Sequence, residues 1–257
     1  MRDFGTGFRR VFLCIAVLAG ALGRAHAQGG PPMITDDPGT PGDGHWEINL
    51  AWTDTRAPGS TELGLPFLDA NYGVGDRLQL NYQGSWNVLR ESGGPAVAGL
   101  SDSAVAVKWR FYDAGEQGWQ ASLFPRVTFL TPGTHSDRRG LADPHTTFLL
   151  PFEVLKDLGF LSVDADFGHM FSAARENEGW TGGLCVGREI AKGFELDAEV
   201  HATTTERVNR SEITANLGAR IDLSAHTTLL LALGRDLRDT IAPRSSLLTY
   251  AGIQLRW

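Results

Sequence analysis

Along most of this chain apolar and polar residues alternate one for one, in segments of roughly ten residues separated by breaks containing Gly, Pro and Asp. Residues 194–202 show it plainly: Phe194, Leu196, Ala198, Val200 and Ala202 share one face, and Glu195, Asp197, Glu199 and His201 share the other. Residues 212–222 set Ile213, Ala215, Leu217, Ala219 and Ile221 against Glu212, Thr214, Asn216, Arg220 and Asp222. Residues 104–111 set Val105, Val107, Trp109 and Phe111 against Lys108 and Arg110. This period of two predicts strands at 45–53, 65–73, 77–88, 102–112, 118–130, 146–155, 160–171, 179–190, 194–204, 212–222, 226–235 and 247–257. About ten residues is the length a tilted strand needs to cross the hydrocarbon layer of a bilayer.

The breaks have a rhythm of their own. After even-numbered strands they are short: Val74-Gly75-Asp76, Asp113-Ala114-Gly115-Glu116, Lys156-Asp157-Leu158-Gly159, Ala191-Lys192-Gly193 and Ser224-Ala225. Gly and Asp supply the backbone conformations that tight turns require. After odd-numbered strands, around 54–64, 89–101, 131–145, 172–178, 205–211 and 236–246, the connections are longer. A sheet with short turns at one end and loops at the other is predicted: an all-β, transmembrane, antiparallel up-and-down barrel of about 12 strands. Aromatic residues fit the same frame. Trp46, Tyr72, Tyr112, Trp119, Phe194 and the terminal Trp257 fall near the short-turn end, and Trp52, Trp86, Phe129, Phe171 and Trp180 near the long-loop end. Two such girdles belong to a lipid-embedded barrel, whereas a soluble β-sandwich would gather its rings in the core.

The first 27 residues stand outside the pattern. Arg9 and Arg10 precede an apolar run, Val11 to Leu22, that is too short to span a membrane, and Ala25-His26-Ala27 is a small-x-small cleavage site. This predicts a signal peptide cleaved after Ala27; Phe12-Leu13 before Cys14 argues against a lipoprotein. Residues 28–44, rich in Pro, Gly and Asp, support neither strand nor helix and are expected to hang free in the periplasm, the alternative being a small plug in the lumen. Residues 45–257 form the barrel.

Charge and cysteine content narrow the function. The whole chain carries a net charge of −7; removing four arginines and one aspartate with the signal leaves 19 basic against 29 acidic residues, a net −10. An acidic exported chain is a poor nucleic-acid binder. Only Cys185 survives cleavage, so no internal disulfide can form.

Several short motifs point to a family. Thr35-Asp36-Asp37-Pro38 followed by Gly44-His45-Trp46-Glu47-Ile48-Asn49 resembles the opening of the outer-membrane transporter-like barrels grouped as the MetA-pathway of phenol degradation family. Tyr72-Gly73-Val74-Gly75-Asp76-Arg77-Leu78-Gln79-Leu80 is similar to that family's first periplasmic turn, and Gly99-Leu100-Ser101-Asp102 leading to Lys108-Trp109-Arg110-Phe111 to its fourth strand. The resemblance implies an outer-membrane barrel that passes small, often aromatic or apolar, compounds. It brings no catalytic residues.

With apolar faces toward lipid, the polar faces line the interior. Twelve strands lie between the filled eight-stranded barrel and the wide sixteen-stranded pore, so a narrow, partly obstructed channel is expected. The candidate lumen-lining residues are Glu47, Lys108, Arg110, Arg126, Asp164, Asp166, Glu195, Asp197, Glu199, His201, Arg220 and Arg256. Lys108, Arg110 and Arg126 form a basic side, while Asp164, Asp166, Glu195, Asp197 and Glu199 form an acidic one. Two readings compete: a transverse field that orients solutes, or a network of ion pairs that stiffens the barrel, with Glu195 beside Arg220 and Glu47 beside Arg256 across the seam. The network is the commoner outcome.

The expected partners are outer-membrane lipids, a small-molecule permeant and the barrel-assembly machinery, reached through the last strand at Trp257. An enzyme, such as a lipid hydrolase, is the rival class. His169 shares the outward parity of Phe167 and Phe171, with Ser172 just beyond, but no orienting partner is evident. His201 with Glu199 and Cys185 could hold a metal, though a lone lumenal His is the plainer reading, and Cys185 among Gly182, Gly183 and Gly187 reads as a small packing residue. No cofactor is implied, and a purely structural barrel is the remaining alternative.

Overall fold

The computed structural model describes residues 29–115, 118–174 and 178–257; the expected signal peptide and its cleavage site lie outside them. Thirteen strands follow in chain order: β1 (Trp46–Ala57), β2 (Ser60–Val74), β3 (Leu78–Glu91), β4 (Val97–Asp113), β5 (Trp119–Leu123), β6 (Arg126–Phe129), β7 (Thr147–Asp157), β8 (Ser162–Ser172), β9 (Gly179–Ala191), β10 (Phe194–Thr205), β11 (Ser211–Ser224), β12 (Thr227–Asp239) and β13 (Leu247–Arg256). Each pairs antiparallel with its neighbours, and β1 pairs with β13 from Glu47 opposite Arg256 to Arg56 opposite Leu247, which closes the sheet. β5 and β6 share one position between β4 and β7, so the barrel has twelve staves. The break falls at Phe124-Pro125, because proline has no N–H to give the ladder. Neighbouring carbonyls still accept: Val107 N–H donates to Pro125 O at 3.1 Å and Phe124 N–H to Pro151 O at 3.2 Å.

The alternation sorts the side chains as in a membrane barrel. Leu50, Leu80, Val105, Val107, Leu217, Leu233 and Ile253 are exposed on the outside, while Asn49, Asn81, Lys108, Glu153, Asp164, Glu199 and Gln254 are buried inside. Trp46, Trp119 and Trp257 stand exposed near one rim, Trp86, Phe171 and Trp180 near the other. Among the described residues no helix is long and apolar enough to cross a membrane.

Several strands are longer than the predicted ten residues. β2 runs for 15 and β4 for 17, and the connections expected as loops at 54–64 and 89–101 are largely strand. β1 and β2 stay paired out to Ala57 opposite Ser60, and β3 and β4 out to Leu89 opposite Val97. In these extensions the apolar–polar alternation fades, as at Ser60-Thr61-Glu62 and Val97-Ala98-Gly99-Leu100, while the backbone ladder continues to satisfy its own hydrogen bonds. The 131–145 connection is a true loop, pinned rather than free. Its 3-10 turn Ser136–Arg139 places Arg139 to donate to Ala98 O at 2.7 Å, Asp143 N–H donates to Asp102 at 3.1 Å, and Leu141 is buried.

Residues 29–44 are not a hanging tail. At the short-turn end Gly44 N–H donates to Gly73 O at 3.0 Å and Thr40 donates to Asp76 O at 2.9 Å. The chain then rises into the lumen and turns back on itself, Gly30 N–H donating to Thr35 O at 2.8 Å. Met33, Thr35 and Asp37 are buried there. The expectation failed because it weighed only the segment's own lack of propensity, and docking is decided by what the barrel interior offers it.

Candidate functional site: the plugged lumen

The inserted segment touches opposite walls of the barrel, and each wall holds it by different chemistry. On β4, Lys108 is buried and donates to the Asp36 carboxylate at 2.9 Å and, by a short bond, to the Asp37 carbonyl. The wall fixes that ammonium independently: Glu153 of β7 lies 3.5 Å away and the Phe124 ring 4.6 Å beneath it. Ser122 donates to Glu153 in turn. A buried cation with two carboxylates and an aromatic face meets the conditions under which a buried ion pair is tolerated.

On β10, Glu199 accepts two successive backbone N–H groups, Ile34 at 3.2 Å and Thr35 by a short bond, while Asn216 of β11 steadies it at 2.7 Å. Asp166 of β8 lies at the end of the Asp36 N–H, 3.4 Å away. Arg220 of β11 is clamped by Asp197 at 3.3 Å and donates to the carbonyls of Gly29 and Gly30 at 3.2 and 2.9 Å. Between these polar contacts Met33 packs with Cys185 and Ala232 against Tyr250. Two lumenal glycines make that fit possible. A Cβ at Gly218 would strike the Met33 methyl, and one at Gly183 would strike the Thr35 side chain.

The two plug carboxylates are driven in opposite directions. Burial pushes Asp36 up, but the Lys108 charge and hydrogen bond, helped by Arg126, outweigh it and hold Asp36 below the usual carboxylate range. Asp37 lies above that range, because burial, reinforced by the Asp36 charge, exceeds what Lys108 returns.

The remaining predicted lumen residues take more varied places. Arg126 is half-buried with its guanidinium 5.0 Å from the Phe124 ring. Arg110 lies at the short-turn rim, donating to Asp76 O at 2.6 Å with Asp113 at 3.5 Å, so it takes no part in the mid-lumen contacts. Asp164 is fully buried in register with Cys185. Glu195 stands opposite Arg220 as the alternation suggested, yet Arg220 ion-pairs with Asp197. Arg256 likewise faces Glu47 in register but pairs with Asp222 at 3.5 Å, and Glu47 borders a small cavity with Asp69 and Gln254. His201 is bonded to Thr181 at 3.1 Å, and among the described residues no group of His, Cys, Asp and Glu is arranged to hold a metal.

A third wall was not anticipated. On β1 to β3 Asp69 accepts from Asn49, Asn71, Asn81 and Gln83 at 3.0, 3.3, 2.6 and 3.1 Å. The alternation of Gln79, Asn81 and Gln83 with Leu78, Leu80 and Tyr82 was a legible signal for this amide lining, hidden by attention to charge alone. Above the plug, toward the long-loop end, open cavities of about 270 and 260 Å³ are bordered by Phe67, Gln83, Arg126 and Thr128 and by Asp143, His145, Met170 and Thr203. Below it, a cavity of about 190 Å³ is bordered by Glu195, Arg220 and Arg256.

Among the described residues the enzymatic alternative gains one partner, and Ser172 is not brought to it. His169 does have a carboxylate, Glu206, at 2.7 Å, and its ring packs edge-on against Trp180 and close to Phe171. Ser172 instead accepts the Ala174 N–H at 3.2 Å, and the second His169 nitrogen is buried without a hydrogen-bond partner among the described residues.

No protein-family profile and no curated relative matches this sequence. Solved structures do. The COG4313 outer-membrane channel from Pseudomonas putida F1 superposes with a TM-score of 0.68 at 14% identity, over 90% of this chain and 100% of that one. The NanC porin gives 0.58 at 10% identity, over 81% and 98%, and the KdgM porin in complex with disordered oligogalacturonate gives 0.53 at 10%, over 80% and 98%. The fold is that of outer-membrane channels and porins. The grouping with phenol-degradation barrels finds no match.

Proposed function

We propose that this chain is a passive outer-membrane channel for small molecules whose resting lumen is closed by residues 29–38. The observation that carries the reading is the reach of the segment: Asp36 on β4 and the amides of Ile34 and Thr35 on β10 span the bore. An apolar belt toward lipid, cavities above and below the plug, and likeness to channels and porins support it. The mature protein starts at residue 28 after export, and its permeants are small polar or charged solutes, the class that an amide, Arg and Asp lining can solvate. Aromatic permeants, which the family resemblance implies, would meet Phe67 and Tyr250, rings 6.3 Å apart inside the bore.

The test is swelling of proteoliposomes in amino acids, sugars and benzoate, with the mature chain and a variant lacking residues 29–38. Slow swelling for the first and fast, size-limited swelling for the second is expected. No swelling by either protein in any solute would remove the channel reading.

A further inference from the structure

The lumenal recess is built like a ligand site. Residues 29–38 belong to no strand, and their contacts with the wall run through wall side chains: Lys108, Asp166, Glu199 and Arg220. The groups that grip the segment are held by wall partners rather than by the segment. Glu153 and Phe124 hold Lys108, Asn216 holds Glu199, and Asp197 holds Arg220. Such wall-fixed groups are what preorganised recognition requires, since little ordering remains to be done on binding. Taken together they recognise a carboxylate, two adjacent amide N–H groups, two adjacent carbonyls and one flexible apolar side chain. That is the chemistry of a short acidic peptide with a hydrophobic residue three positions before its carboxylate, as Met33 stands before Asp36.

We infer that this recess is a binding site for short acidic peptides and that residues 29–38 occupy it as a tethered competitor. A free peptide of the same chemistry would take the site when the segment is absent or displaced. The segment enters from the short-turn end, past Gly44 and Gly73, so a competing ligand on that side meets the same groups in the same order. A short tether supplies an effective concentration of roughly millimolar, so a segment that stays docked has an intrinsic dissociation constant at or below about 1 mM. The inference rests on the channel reading only where current is the readout; binding is independent of it.

The test uses a dye-labelled peptide of residues 29–38 and detergent-solubilised barrel lacking those residues, with folding checked by heat-modifiable gel migration. Fluorescence anisotropy should show saturable binding at or below roughly 1 mM. It should weaken at least tenfold for an Asp36→Asn peptide, roughly fivefold for a Glu199→Gln barrel, and at least tenfold on the full mature chain, whose site is filled. Should the truncated barrel fail to fold, full-length chain carrying Asp36→Lys, which keeps every barrel residue, takes its place. In planar bilayers the same peptide should block current from the short-turn side. No binding to the emptied barrel, or equal binding to full-length and emptied forms, overturns the inference. Binding without any conductance leaves the site standing and removes only the channel reading.

Discussion

The two walls that grip the plug differ in what they read. The β4 to β7 wall offers one cation, Lys108, against the Asp36 carboxylate and the Asp37 carbonyl, so its one charge-reading contact depends on Asp36 being an acid. The β8 to β11 wall offers Glu199 and Arg220 to backbone amides and carbonyls, which every residue but proline presents in full, plus a recess sized by Gly218 for Met33. One wall is selective and rests on a single point; the other is tolerant of sequence and distributed over several. Of the two arrangements left open by the bare sequence, a transverse field or a network of ion pairs, the pairing of Lys108 belongs to the second. Lys108 on the basic side is met by Asp36 and Glu153, and Glu199 on the acidic side by peptide N–H groups.

That difference can be broken from either side, with Cys185 as the reporter. Its thiol is buried against Met33, so maleimide labelling follows the fraction of time the plug is out. Lys108→Met should have the largest effect among point variants. It leaves Asp36 and Glu153 facing each other without a cation, a loss of about 3–5 kcal/mol of docking, and labelling should rise at least ~100-fold. Gly218→Val should come next, since the new side chain occupies the place of the Met33 methyl. Overpacking of roughly 2 kcal/mol predicts labelling up by about 30-fold. Glu199→Gln keeps an acceptor for one N–H and loses the charge, and a cost of about 1 kcal/mol predicts roughly fivefold. If Glu199→Gln outweighed Lys108→Met, the contrast between the walls would be reversed.

The pH response should be the smallest effect and should have two limbs. Asp36, held low when docked, contributes stability present above its ordinary range and lost as pH falls through its docked value. Asp37, raised when docked, works the other way: its contribution is full below its ordinary range and is lost as pH rises toward its docked value. Closure should thus be tightest near the ordinary carboxylate range, with conductance rising on either side. Asp36→Asn should flatten the acid limb and Asp37→Asn the alkaline one, read as mean current across a pH series.

The barrel was legible in the sequence because period two is local: each strand declares its faces within ten residues, as 194–202 does. The strand extensions were not, since Ser60-Thr61-Glu62 carries no alternation that separates a strand from a loop. The charged wall residues could be assigned to the interior, but their partners could not. Lys108 finds Asp36 72 positions away and Glu199 finds Ile34 165 positions away. A segment of Gly, Pro and Asp announces no structure of its own, and its place is fixed by complementarity with residues distant in the chain.

Single-channel recording in planar bilayers compares the mature chain with the form lacking residues 29–38 most directly. The account predicts a small or flickering conductance for the intact protein and a steady level several-fold larger once the segment is gone. Equal and steady conductance for the two would show that the segment does not close the bore, and would contradict it.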